Sequence, residues 1–458
     1  MIGTVPNVPG ETIGTVPCVP ELVSGCLSAW MAEKDISVAE LAGMVGYKSK
    51  TSVFRLLKDQ CNEQTMVSFV ELLSPRLDEK WEKRFRKALR VEKYGLRKYQ
   101  MFESMVECIS NAWQPTAAVR PLTMPSGGRD ILVLGHPWEQ TDELIDRMLQ
   151  GGCRVTHYID KEAIYSFPGL LQKLIMRIEC PSYEAVMAEE KPAGAWHLMV
   201  TDAGELFLNG KWYPVPDGRE LFSSIRPENG VPLYRFSELE RGNDYINFME
   251  KAYYLESGGS AVIAKQTPGI QMIPEDIVLD ALTDYLSDQT EPISAAVGSL
   301  RLILRKRIDN FYQRKKPVVI VFDQTAMEEF IRTGVTTDHF YACRPYTPEE
   351  RFRILRELLA FSRQENVKIL AAKEKPWRYS MEGYENRGLL FYPAYTKYNT
   401  EMENYRELYL PGQEFFTFFS EMTEELVLNG ENAGPEAGWL ARTVEEIGEN
   451  TDKLCTIL

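Results

Sequence analysis

A helical head, a connecting helix and an α/β body with a mixed sheet make up the fold class predicted by this chain of 458 residues. Three observations predict it. Up to about residue 112 the apolar residues recur at helical spacing. Beyond Pro115 short apolar runs alternate with amphipathic segments, the pattern of strands interleaved with helices. The length also exceeds that of one ordinary domain, so a multidomain chain is expected.

Composition narrows the class further. With 44% hydrophobic and 26% charged residues, disordered, collagen-like and coiled-coil classes are excluded for the chain as a whole. No stretch approaches 18 uninterrupted apolar residues, so no membrane span is expected. No Lys or Arg precedes an apolar segment at the N-terminus, so no signal peptide is expected either. Eight cysteines without a CxxC pair fit a reducing cytoplasm, and a cytoplasmic location follows as an expectation. The net charge of −14 is uneven. Residues 20–100 hold 15 Lys and Arg against 11 Asp and Glu, whereas residues 101–458 hold 37 against 54. A contact with a polyanion therefore belongs to the head.

Taken in order, residues 1–19 form a Pro-rich tail with a tandem repeat, IGTVPNVP at 2–9 and IGTVPCVP at 13–20. Its prolines deny it helix and ladder hydrogen bonds, so it reads as flexible. Residues 20–76 read as short helices. The first runs from Glu21 to Glu33, with Leu22, Cys26, Leu27, Trp30 and Met31 on one face. Ser37 and Glu40 have the spacing of a capping box, and Gly46 reads as a left-handed cap after Leu41, Ala42 and Val45. Ser49 caps the next helix, with Val53, Leu56 and Leu57 inward, and Thr65 starts another that buries Val67, Val70 and Leu73 or close neighbours. Residues 77–114 form the connecting helix, where Trp81, Phe85 and Leu89 recur in a highly charged setting and read as a connector packed on the body or as a homodimer seam, the homodimer being the expectation. Gly95 marks a break within it.

Residues 115–458 are the α/β effector or sensor region, with a division into subdomains placed near 290–316. Ile131–Leu134, Cys153–Ile159, Trp196–Thr201 and Glu205–Tyr213 read as strands, the last carrying Asn209-Gly210 as a hairpin turn. Gln140–Leu149 is an amphipathic helix. Val318–Phe322 is a buried strand followed by the helix Thr325–Ile331. Thr347-Pro348-Glu349-Glu350 opens a helix to about Arg363. Val367–Ala371, Gly388–Tyr392 and Leu408–Leu410 are further strands, and Glu414–Leu428 is a late helix. The basic stretch 301–316 reads as an amphipathic helix burying Leu302, Ile303 and Ile308.

The segment SVAELAGMVGYKSKTSVFRLLKDQCNEQTMVSFVELL, residues 37–73, carries the most chemistry. Ala42 and Gly46 suit a tight helix–turn–helix, and the next helix opens with a polar, basic turn over inward Val53 and Leu56. On these residues it resembles the helix-turn-helix of phage-repressor-like (Cro/C1, or XRE) transcriptional regulators. The resemblance covers about 55 residues, with a turn one residue longer than usual and Phe54 at a normally polar position. It implies that Lys50, Thr51, Ser52 and Arg55 face bases while Lys48 and Ser49 lie near phosphates.

In the body there is no GxGxxG, no GxxxxGK[ST], no HExxH and no GxSxG motif. No catalytic residue, cofactor or metal is therefore assigned. His136, Trp138, His157 and Asp160 fall at strand ends, where open α/β sheets receive ligands, and are the expected ligand-binding residues. Trp196-His197 with Asp202, and the layout ending in FFTFFSEMTEEL, share features with phospholipase-D-like sensor modules. The HxK core of those modules is absent, because Leu198 and Met199 follow His197. The terminal Cys455-Thr456-Ile457-Leu458 has the form of a prenylation box but lacks a basic run before it, and reads as chance.

The first expectation is a sequence-specific, DNA-binding transcriptional regulator: double-stranded DNA as partner, a homodimer, a small-molecule effector, and no catalytic activity. The alternatives are an enzyme of unknown reaction in the body, with the head as a targeting module, and an interaction scaffold without DNA contact.

Overall fold

The computed structural model describes residues 22–47, 49–109, 128–136, 141–189, 198–208, 211–216, 218–225, 229–238, 242–287, 294–337, 344–372, 377–394, 404–428 and 437–448. Two compact units divide the chain, one reaching to Gln100 and one beginning at Met101.

The first unit contains α1 (Val23–Lys34), α2 (Val38–Met44), α3 (Lys50–Leu57), α4 (Glu63–Leu73) and α5 (Glu79–Tyr94), and α6 (Leu96–Ile109) begins in it. The capping box is formed: the Glu40 N–H donates to Ser37 Oγ (3.3 Å), and the Ser37 N–H donates to Glu40 Oε2 (2.8 Å). Gly46 adopts φ +73°, and the Tyr47 N–H then reaches back to the Ala42 carbonyl (2.8 Å), closing the end of α2. In α1 Val23 takes the buried place expected of Leu22, which is 42% exposed. Asn62 rather than Thr65 caps α4, and its buried face is Phe69, Val70 and Leu73, with Val67 half-buried beside it.

The connecting helix is not one element. Gly95 separates α5 from α6, and α5 belongs to the head: Trp81, Phe85 and Ala88 are buried in one cluster with Trp30, Leu41, Val53 and Phe69. The expected seam is thereby corrected, because these side chains find their apolar partner within the chain. Further along α6, Phe102 packs on Phe418 and Phe419, inside the second unit.

The second unit holds two mixed seven-stranded sheets. The first is built from β1 (Asp130–Leu134), α7 (Thr141–Gln150), β2 (Arg154–Ile159), α8 (Lys161–Ser166), α9 (Pro168–Met176), β3 (Tyr183–Ala188), β4 (Leu198–Thr201), β5 (Glu205–Leu208), β6 (Lys211–Pro214), α10 (Gly218–Ser224) and β7 (Gly230–Pro232). The second takes β8 (Tyr234–Glu238), α11 (Gly242–Glu256), β9 (Ala261–Lys265), α12 (Glu275–Ser287), α13 (Ser294–Tyr312), β10 (Val318–Asp323), α14 (Gln324–Thr333), α15 (Pro348–Ser362), β11 (Val367–Ala372), β12 (Tyr379–Tyr384), β13 (Gly388–Pro393), β14 (Asn404–Pro411), α16 (Gln413–Leu428) and α17 (Ala437–Gly448).

The two sheets repeat one topology. The orders β3-β2-β1-β4-β5-β6 and β11-β10-β9-β12-β13-β14 are the same pattern, 3-2-1-4-5-6. In each, the first strand runs parallel to the second and antiparallel to the fourth. The chain passes from the first sheet to the second at Leu233, between β7 and β8, not near 290–316. Residues 294–316 lie inside the second half because Ile303 and Leu304 of α13 pack with Ile263 and Ile320 of its sheet. On α13 Leu302 is 56% exposed, and the buried place falls instead to Arg307, which is paired with Glu256 (2.5 Å).

Most of the strands and helices expected from the sequence are present, and the capping box Thr347–Glu350 with Pro348 opens α15. Leu208 opposes Lys211, the register of a two-residue hairpin, although Asn209 and Gly210 themselves lie outside the described residues. So do the N-terminal repeat, the C-terminal Cys455 and His197. No helix among the described residues is long and apolar enough to cross a membrane.

Candidate active site

In a 3-2-1-4 order, the strand order reverses beside strand 1, and a crevice opens beyond its C-terminal end. In the first half that end is β1, followed by Gly135 and His136. His136 is 3% exposed, its ring 4.4 Å from Phe167 and 5.7 Å from the ring of His157 on β2. His157 is fully buried and its tautomer follows from its partners. Nε2–H donates to the Gly135 carbonyl (3.0 Å), so Nδ1 accepts from the Tyr183 hydroxyl (2.9 Å).

An ionic network backs the pair. Asp142, in the first turn of α7, has Oδ2 3.6 Å from His136 Nε2, while its Oδ1 accepts from Arg177 Nη1 (2.7 Å). Arg177 also donates to Asp146 Oδ1 from Nη2 (2.7 Å), and Lys173 donates to Asp146 Oδ2 (2.7 Å). Burial opposes the charge of Asp146, but Arg177 and Lys173 overcome it and hold its pKa low. Burial likewise opposes Arg177, which Asp142 foremost keeps charged. The histidines are depressed, His136 by burial against the pull of Asp142, and His157 further by burial, His136 and Arg177. Both rings are neutral at pH 7. On the far side of the His136 ring, Nδ1 is buried without a hydrogen-bond partner among the described residues.

Of the four expected ligand residues, the structure brings His136 and His157 together. Asp160 is committed elsewhere: it caps α8, accepting from the Ala163 N–H (2.6 Å). Trp138 lies outside the described residues. Asp142 and Arg177 were missed, although an acidic first turn after a strand end is a readable signal.

A second polar cluster, also missed, occupies the second half. Lys265 ends β9 and reaches Glu382 Oε1 on β12 (2.5 Å), with the two residues 1% and 6% exposed. Tyr392 donates to Glu382 Oε1 (2.7 Å) and Tyr384 to Oε2. Burial opposes the charge of Glu382, but Lys265 and the hydroxyls lower its pKa to about 2. An open groove of about 630 Å³, lined by Arg235, Asn247, Glu250, Lys251 and Tyr254, contains none of the expected ligand residues.

On the head, Lys50, Thr51 and Arg55 are exposed along α3, Ser52 partly so, and Phe54 stands among them at 48% exposure. Ser49 is exposed, and its hydroxyl caps α3 through the Thr51 N–H (3.1 Å). Lys48 lies outside the described residues. Among the described residues no three His, Cys, Asp or Glu side chains gather as metal ligands.

No family model and no curated protein matches the chain. A solved structure of phosphatidylserine synthase from Haemophilus influenzae Rd KW20 is similar over 79% of this chain and 90% of its own, at 11% identity and a TM-score of 0.29. This likeness carries neither substrate nor reaction over to this chain. The expectation of a sequence-specific DNA-binding regulator is withdrawn, since no family model and no curated protein supports the helix-turn-helix resemblance on which it stood.

Proposed function

We propose that the body is an enzyme in which His136 serves as the proton acceptor, with the helical head as its targeting module. One observation carries the reading. His136 presents a buried Nδ1 with no hydrogen-bond partner among the described residues, while a carboxylate held by Arg177 lies on the opposite side of its ring. An isolated buried ring nitrogen is costly to leave unpaired. A depressed pKa keeps it in the basic form at neutral pH, and Asp142 stabilises the imidazolium that proton uptake creates.

The reaction class is hydrolysis or group transfer. Water or a hydroxyl attacks an electrophilic carbon or phosphorus, its proton passes to Nδ1, and the same proton then goes to the leaving group. On the head, Lys50, Thr51 and Arg55 around Phe54 form the surface offered to a target. Duplex DNA is the target that the resemblance of residues 37–73 implies.

Turnover of p-nitrophenyl acetate and of bis-p-nitrophenyl phosphate by the full-length chain tests the reading. Turnover of one of them is expected, lost in His136→Gln and lowered in Asp142→Asn. Equal rates for wild type and His136→Gln, or no turnover of either compound by wild type, would overturn it.

A further inference from the structure

The histidine pair belongs to the first half of the body, but the segment that supports it is held from the second. Residues 177–183 carry both supporting contacts: Arg177 reaches Asp142 beside His136, and Tyr183 donates to His157. Arg406, on β14 of the second sheet, fans its guanidinium over the carbonyls of this same segment. Nη1 donates to the carbonyls of Arg177 (3.1 Å), Ile178 (3.3 Å) and Cys180, and Nη2 donates to that of Tyr183. The guanidinium also lies 4.1 Å from the Tyr234 ring centroid, and the Tyr234 hydroxyl donates to the Leu174 carbonyl (2.6 Å).

We infer that Arg406 is a positioning residue for the His136–His157 pair, acting across the two halves through Arg177 and Tyr183. The inference rests on the reading of that pair as the reactive centre. Four carbonyls converging on one side chain require a planar fork with several donors, which arginine has and lysine lacks. Carbonyls at the end of a helical run carry partial negative charge, so a cation is favoured there. Without the fork, the turn loses its hold from the second sheet and keeps its own backbone bonds and those to β2, so Arg177 and the Tyr183 hydroxyl can shift from the histidines. A second contact at the same seam, between Arg378 and Glu179, involves two exposed side chains and touches neither support.

Among the described residues, the charged and titratable groups around the pair are Asp142, Asp146, Lys173, Arg177 and Tyr183. None is altered by substituting Arg406, so a change in the histidines reports position. Selective histidine labelling of the full-length chain gives four side-chain signals, assigned with His136→Gln and His157→Gln. In wild type, His157 should show the Nε2–H tautomer and resist protonation below the ordinary histidine range. In Arg406→Met, the midpoints of His136 and His157 should rise toward the ordinary value as water reaches them, and the tautomer signature of His157 should weaken. Arg406→Lys should fall between the two, and it carries the same readout if Arg406→Met does not fold. Arg378→Met should leave both signals as in wild type. A lower melting temperature with unchanged histidine titrations would overturn the inference, as would equal changes in Arg378→Met. These titrations need no turnover, so they separate this inference from the enzymatic reading, which turnover by His136→Gln decides.

Discussion

Replacing Lys265 by Met should destabilise the body by about 3 kcal/mol. Lys265 and Glu382 are almost fully buried, and the carboxylate is held by one ammonium and two tyrosine hydroxyls. Removing the ammonium leaves a buried charge, and breaking such pairs costs about 3–5 kcal/mol. The carboxylate can escape by taking up a proton, which bounds the loss. Lys265 and the two tyrosine hydroxyls hold the Glu382 carboxyl below its ordinary range against the cost of burial, so the pair stabilises the fold at neutral pH. Protonating an ordinary carboxyl at pH 7 costs roughly 3 kcal/mol. The sign follows from linkage. A carboxyl whose folded pKa is depressed contributes stability above about pH 4.5, and loses it as pH falls toward about 2. The difference between wild type and Lys265→Met should therefore be full at pH 7 and shrink in acid. Urea unfolding followed by tryptophan fluorescence measures it, and a cycle with Glu382→Gln isolates the coupling. A loss below about 1 kcal/mol, or additive single substitutions, would refute the buried-pair reasoning.

Two further outcomes are expected. Because burial depresses His136 and His157, the unfolded chain binds more protons than the folded one below about pH 6.5, so stability should fall as pH drops through that range. Urea midpoints at pH 7.5 and 5.5 should differ less in the His136→Gln, His157→Gln double variant than in wild type. On the head, Trp81→Ala should cost about 3–5 kcal/mol, since the ring is 1% exposed in the core, whereas Phe54→Ser should change stability by about 0.5 kcal/mol or less. Thermal melts that rank the two equally would show that α5 does not complete the head.

The legible features are those written within a few residues. Ser37 with Glu40, and Thr347 with Pro348 and Glu350, declare helix starts because donor and acceptor are neighbours in the chain. The strand-end rule singled out His136 and His157, whose rings lie side by side, since each position follows from its own strand. It also singled out Asp160, whose carboxyl suits both a site and an N-cap. The cap prevailed because α8 starts at the next residue and its Ala163 N–H needs an acceptor.

Local pattern therefore determined the elements and their caps, together with the change from a helical head to an α/β body. Tertiary structure alone decided which residues of distant strands meet. Trp81 looks like a seam residue until α5 is laid on the head core, where its partners Trp30 and Phe69 are waiting. Lys265 and Glu382 are single polar residues in short apolar strands, and only the antiparallel register of β9 with β12 sets one against the other. Arg406 is an ordinary strand arginine until β14 is carried to the turn after α9. A capping bond joins groups whose separation the backbone already limits, whereas contacts across a sheet exist only after register and packing have been chosen for the whole core.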